Sequence, residues 1–298
     1  MTRARGHTWG VGYAVLAALC NATIGLFTNL GIRASLPPDT IAFYRCVVAF
    51  LAVTVLMLIR RERPVSLAFA RANLRKICVC AFCGIFVLYY FETMSYRFTS
   101  VTNVTFLLMS TSAIVTFVLA ALVLRERSGL WKLLGLGLVL LGIFFMVFGG
   151  GLYRPSLRGD ALAIIAGVGY ALFLVCARRF NLGSGLAVLW CFFAVGMVYL
   201  AVPLVVAGSF AIELRDLPIV MLLGVVPTLG GFYCTTRALE LLEASQVQMF
   251  EMSEPLFASV MAFVLLRQAV SGAEACGGAC ILLGLLVADK RSNPAPAL

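Results

Sequence analysis

Long apolar runs separated by short charged turns fill almost the whole chain. Runs of about 20 apolar residues match the hydrocarbon thickness of a bilayer and read as membrane-spanning helices. The spacing predicts ten of them, near 9–31, 39–59, 74–96, 101–124, 130–149, 159–178, 185–208, 216–238, 244–266 and 272–289. Arg3 and Arg5 precede the first run as they would a signal peptide. Its apolar stretch is too long for one, however, and no small-residue cleavage site follows. The pattern leaves no room for a soluble domain.

The same pattern reads twice. Tyr90 to Ser110 returns about 143 residues later as Tyr233 to Ser253, so that Thr93 meets Thr236, Thr102 meets Ser245, Val104 meets Val247, and Met109-Ser110 meets Met252-Ser253. Farther on, Leu124-Arg125 and Ser128-Gly129 are answered by Leu266-Arg267 and Ser271-Gly272, and Leu141-Gly142 by Leu283-Gly284. Two halves follow, 1–150 and 151–298. Five helices per half is an odd number, so the second half starts on the opposite side of the membrane and the repeat is inverted. Inverted repeats supply two near-equivalent packings, which is what alternating access requires.

Composition strengthens the membrane reading. Hydrophobic residues are 62% of the chain, charged residues 12%, and mean hydropathy is +1.03. The net charge of +10 is a topology signal and not a sign of nucleic acid. With the N-terminus in the cytoplasm, sixteen basic residues, from Arg3 and Arg5 to Lys290 and Arg291, fall on the inner side. Six (Arg33, Arg97, Arg154, Arg158, Arg215 and Arg267) fall outside, and Arg45 lies within a span. That bias places both termini in the cytoplasm, with membrane lipid headgroups as partners of the basic turns.

Several chemistries are unsupported. All ten cysteines fall in spans, and the Cys-x-x-Cys of Cys80 and Cys83 lacks a second pair or a histidine at zinc spacing, so no metal site is expected. His7 is the only histidine and precedes the first span, which removes a histidine base. Lys76, Lys132 and Lys290 sit at helix ends, away from any mid-membrane dyad. Gly149 to Gly151 and Gly277-Gly278 lack the ending of a phosphate loop. No cofactor and no enzyme activity are predicted.

Polar groups inside spans are the candidates, because an ionisable side chain in lipid needs a cavity or a partner. Arg45 lies about six residues into the second span, where it serves either structure or a substrate carboxylate. Glu92 is its plausible ion-pair partner. Glu251 and Glu254, three apart, share a helix face, and Pro255 predicts a kink that frees a carbonyl. These acids could hold an ammonium group or a proton, or could only bond a neighbouring helix. Asn21 is a cavity candidate near the middle of the first span, and the deep tyrosines Tyr89, Tyr90, Tyr170 and Tyr199 suit the wall of a part-apolar ligand. Thr102, Asn103, Thr105, Ser110, Thr111 and Ser112 form a polar face on the fourth span that suits helix packing.

Taken in order, Arg45 in Phe43-Tyr44-Arg45-Cys46, the ending Leu124-Arg125-Glu126-Arg127 with Gly135 to Gly142 after it, and Glu254-Pro255 resemble the drug/metabolite transporter superfamily, in its EamA-type ten-helix branch. The resemblance implies an all-α integral membrane protein with two five-helix repeats around a central cavity. Ser112 stands where the family often has proline, and Arg267-Gln268 replaces a Leu-x-Glu ending. Within the family the chain is most similar to bacterial exporters of aromatic amino acids. That implies an inner-membrane exporter with an amino-acid substrate. Asn21, Arg45, Tyr89, Tyr90, Tyr170 and Glu254 are its candidate binding residues, and Glu92, Glu251 and Pro255 its candidate gating or coupling residues. Export of a cationic drug or another metabolite is the alternative, although the first span carries Asn21 where small multidrug relatives keep an acid. Glycines at Gly135, Gly142, Gly277, Gly278 and Gly284 allow close helix packing, in a monomer or a homodimer.

Overall fold

A computed structural model describes residues 3–61, 67–126, 129–148, 156–208, 210–266 and 271–289. The charge-count residues Arg63, Arg127, Arg154, Arg267, Lys290 and Arg291 lie outside the described residues, as do Ser128, Gln268 and Gly149 to Gly151. The described chain is built from helices. In order they are α1 (Arg3–Asn21), α2 (Ile24–Arg33), α3 (Pro38–Arg60), α4 (Leu67–Ala81), a π-helical segment π1 (Phe82–Tyr90) and α5 (Phe91–Ser95). Then come α6 (Val101–Val123), α7 (Leu130–Phe148), α8 (Leu157–Phe180), α9 (Leu186–Ala207), α10 (Leu217–Leu223) and a second π segment π2 (Gly224–Gly231). The series ends with α11 (Phe232–Leu241), α12 (Ala244–Glu251), α13 (Glu254–Leu266) and α14 (Gly272–Asp289).

Among the described residues nine stretches are long and apolar enough to cross a membrane. Three of these are composite: α1 with α2, α4 through α5, and α10 through α11. The predicted span 244–266 is not a single helix. It divides at Met252-Ser253 into α12 and α13, each too short to cross alone. Leu58, Leu122 and Val206 are largely exposed on the outer surface, where lipid tails solvate them.

Local chemistry accounts for the boundaries. Pro38 opens α3 in the first helical turn, where its missing N–H costs nothing. Ser100 accepts from Asn103 N at 3.3 Å to cap α6, and Ser156 does the same for Gly159 at α8. In π2, Pro227 has no N–H to give the Leu223 carbonyl; the Thr228 hydroxyl donates to that oxygen instead, at 2.7 Å.

Packing pairs the two halves. α7 packs on α14, α6 on α8, α3 on α9, and α1 on α11 and α12. The α7–α14 contact is made by glycines: a Cβ on Gly135 would sit 2.6 Å from the Gly284 carbonyl oxygen, and one on Gly142 would sit 2.5 Å from that of Gly277. The backbones therefore touch, and the order of contacts makes the crossing antiparallel. His7 Nε2 lies 3.4 Å from Asp289 Oδ1, so the start of α1 and the end of α14 are on one face of the bundle. On that face Glu126 accepts from Ala244 N, Ser245 N and Ser245 Oγ, at 2.9, 3.2 and 2.6 Å, and Lys132 bonds Glu243. On the opposite face Ser95 Oγ donates to the Gly159 carbonyl at 2.7 Å.

Candidate functional site

The helix interruptions converge on one cleft. It is a narrow, partly open cleft lined by Asn21 at the end of α1, Leu88 and Tyr89 of π1, Pro227 and Gly231 of π2, and Glu254 at the start of α13. Arg45, Glu92, Tyr170, Phe232 and Thr235 complete its polar and aromatic walls. A break in helical bonding lets backbone and side chains turn toward a ligand at membrane depth, and π segments recur at functional sites for this reason.

Arg45 is fully buried and held from three directions. Its Nε donates to Thr228 Oγ1 at 3.0 Å, the same hydroxyl that repairs the proline defect in π2. Its Nη1 lies 3.5 Å from Glu92 Oε2, and its guanidinium carbon sits 3.8 Å above the Tyr89 ring centroid. Its Nη2 has no hydrogen-bond partner among the described residues. Glu92 also lies near Tyr96, one turn farther along the chain. Buried and paired in this way, Arg45 and Glu92 fix π2, π1 and α5 to one another.

Glu254 is 7% exposed, and its Oε2 likewise lacks a hydrogen-bond partner among the described residues. It is close enough to Glu92 and Glu251 to feel both charges. Glu251, fully buried, accepts from Thr235 Oγ1 at 2.6 Å and from the Tyr170 hydroxyl. Phe232 closes one wall, edge-on to Tyr89 at 5.9 Å and against Phe173 at 4.7 Å between ring centroids.

The structure thus brings Asn21, Arg45, Tyr89, Tyr170, Glu92 and Glu254 to one cleft, with Glu251 directly behind Tyr170. Tyr90 stands apart: it stacks on Phe86 at 5.6 Å and meets Phe91 edge-on at 5.2 Å, in a cluster that Tyr199 joins through Phe86. Pro255 sits in the first turn of α13, so it starts a helix and does not kink one. Ser112 of the α6 polar face accepts from Gln248 Nε2 at 2.8 Å, a packing bond to α12.

Sequence reasoning passed over Thr228, Thr235, Tyr96, Phe232 and the capping role of Glu126. Two of these carried a readable signal. Thr228 follows a mid-span proline, and Thr235 occupies the repeat position of Glu92.

Two consecutive segments, 8–148 and 157–288, match the model of the EamA-like transporter family. An uncharacterized transporter of Archaeoglobus fulgidus is 24% identical over 284 residues, covering 90% of this chain and 93% of its own. The uncharacterized transporter YdfC of Bacillus subtilis is 26% identical over 162 residues, about half of each chain. A solved crystal structure superposes with a TM-score of 0.79 at 17% identity, over 95% of this chain and 97% of the other, and so shares the fold. A bundle of apolar helices around a buried charged cleft, matched by the family model along nearly its whole length, makes the chain a multi-pass membrane transporter that belongs to the EamA-like transporter family.

Proposed function

We propose that the transporter exports amino acids, aromatic and other neutral ones, by alternating access through the cleft. One observation carries this reading: two buried polar atoms of opposite charge, Arg45 Nη2 and Glu254 Oε2, have no hydrogen-bond partner among the described residues, and their residues line the same cleft. A buried polar atom of a charged group is costly to leave without a hydrogen bond, so each calls for a ligand group. An α-carboxylate suits the guanidinium and an α-ammonium suits the carboxylate. The rings of Tyr89, Tyr170 and Phe232 offer an aromatic side chain a wall, and Asn21 adds a polar edge.

The machinery for alternating access would be two inverted five-helix halves, 1–150 and 151–298. Four observations support that arrangement. The π segments occupy matching places in the repeat. Gly135 meets Gly284 while Gly142 meets Gly277, the reciprocal contact expected when a two-fold axis exchanges equivalent positions. Equivalent helices that cross antiparallel place that axis in the membrane plane. The start of α1 and the end of α14 share a face, which requires an even number of crossings, and α12 with α13 supplies the tenth. With the basic turns inside, that shared face is the cytoplasmic side of a bacterial inner membrane.

Counterflow in proteoliposomes loaded with L-phenylalanine tests the reading. Exchange of labelled L-phenylalanine is expected, with its loss in Arg45→Gln and in Glu254→Gln; parental exchange in both folded variants would remove the site. A second reading, export of a lipophilic cation, draws on the excess of Glu92, Glu251 and Glu254 over the single Arg45. A tolerance screen of overexpressing cells against toxic amino-acid analogues and lipophilic cations separates the two.

A further inference from the structure

Glu251 is the acid that the cleft does not use. It is fully buried, it is absent from the cleft wall, and no cation is within salt-bridge distance among the described residues. Both of its oxygens are instead engaged by neutral hydroxyls, Tyr170 of α8 and Thr235 of α11. The helices packed against α12 are α1, α6, α8 and α11. Along its length α6 carries no titratable side chain. The titratable and charged groups facing Glu251 are therefore Tyr170 from α8, Cys234 from α11, Cys20 of α1 beyond Cys234, and Glu254 at the start of α13.

The identity of the two donors is informative. A hydroxyl both donates and accepts, so Tyr170 and Thr235 satisfy an ionised Glu251 by donating, and a protonated one when either turns to accept. Arginine cannot do this, since a guanidinium only donates and stays charged. The Arg45–Glu92 pair is accordingly built for one charge state, and the Glu251 group for two. A structural carboxylate would gain from a permanent cation, and this one has none.

We propose that Glu251, cradled by Tyr170 and Thr235, is the proton-binding site of an antiporter that exchanges one inward proton for one outward substrate. The site stands on its own geometry; only the direction of exchange rests on the export reading. An O–H bond forms on a Glu251 oxygen with a proton from the outer side and breaks when that proton is given to cytoplasmic water. No other bond changes. Glu254 feels the Glu251 charge, so protonating Glu251 weakens the hold of Glu254 on a substrate ammonium, and a bound ammonium favours loss of the proton by the same factor. Competition of this kind is the condition for antiport. With a zwitterionic substrate, one positive charge moves inward per cycle, so an inside-negative potential drives export along with the pH gradient.

The test has two arms on the full chain in lipid. Infrared difference spectra taken without substrate, as pH is varied, should show a carboxylic C=O band that titrates, disappears in Glu251→Gln, and shifts its midpoint in Thr235→Val. Spectra that are the same in Glu251→Gln and the parent overturn the proposal, whatever the substrate. In proteoliposomes, an imposed pH gradient should drive uphill L-phenylalanine transport by the parent, while Glu251→Gln, which mimics the protonated acid, should show L-phenylalanine counterflow only at a raised half-saturating concentration and lose the uphill component. Uphill transport by Glu251→Gln equal to the parent also overturns it. Should the parent fail to carry L-phenylalanine, the amino-acid reading falls, and the infrared arm still decides the proton site.

Discussion

Replacing Arg45 and Glu92 singly and together separates a structural ion pair from a substrate site. The two charged atoms are 3.5 Å apart, with side-chain exposures of 0% and 7%. At that distance and an effective dielectric of about 20 the attraction is about 5 kcal/mol, most of it offset by the desolvation of both groups. Arg45→Met removes the attraction and leaves Glu92 desolvated, so a loss of about 3–5 kcal/mol is expected. It also removes one bond to Thr228, whose own hydrogen remains placed on the Leu223 carbonyl, so that part of the loss is small. The double variant Arg45→Met/Glu92→Met removes both burial penalties and should recover stability to within about 1–2 kcal/mol of the parent. Denaturant titration of the four proteins in mixed micelles, read as a double-mutant cycle, gives the coupling directly. Transport measured on the same preparations should be lost in both proteins that carry Arg45→Met, because the guanidinium proposed to hold the substrate carboxylate is gone. Parental stability in Arg45→Met would show that no desolvated pair exists, and parental transport in the stable double variant would show that Arg45 never touches the substrate.

Other consequences follow from close contacts. Glu126→Ala leaves the first N–H groups of α12 uncapped and should cost about 1–2 kcal/mol, seen as roughly tenfold faster amide exchange at Ala244 and Ser245. Gly142→Ala drives a methyl against the Gly277 carbonyl oxygen at 2.5 Å; backbone cannot yield, so α7 and α14 must part at about 1–3 kcal/mol, and the melting temperature should fall. Gly137→Ala, with nothing within 4 Å of the new Cβ, is its control and should melt at or above the parent, since alanine favours the helix by about 0.5–1 kcal/mol. Gly231→Ala puts a methyl 2.3 Å from Asn21 Oδ1; the melting temperature should drop and be partly restored in Gly231→Ala/Asn21→Ala, where the room is returned.

The spans were legible because lipid imposes length and apolarity on sequence directly, and the boundaries of α3, α6, α7 and α14 fall within two residues of their expected ends. The interruptions were not, because they depend on what each segment touches. The π1 sequence Phe82 to Tyr90 is uniformly apolar and contains no proline. Its wide hydrogen-bond register turns each residue through a smaller angle than an α-helix does. Which of the adjacent residues Tyr89 and Tyr90 faces the cleft therefore cannot be counted from helical periodicity, and Tyr90 falls on the other side. Pro255 shows the same limit from the opposite direction. A proline inside a long apolar run is compatible with a kink or with the first turn of a new helix, and the turn at Met252-Ser253 decides for the second.

The pairing of Arg45 with Glu92 was foreseeable, since a buried charge must find its opposite, yet the distribution of charge between the halves matters more. At matched repeat positions Glu92 faces Thr235, Leu108 faces Glu251 and Thr111 faces Glu254. Two inverted halves with identical sites would have inward-open and outward-open packings of equal energy, and occupancy could not favour one over the other. Acids placed unequally break that equality. Under the proposed alternating access, a ligand or proton that neutralised Glu251 or Glu254 would change the charge of one half and not the other, and so would shift the balance between the packings by its differential interaction with the two. On this view a near-symmetric scaffold supplies the two states, and the unmatched carboxylates decide which is occupied.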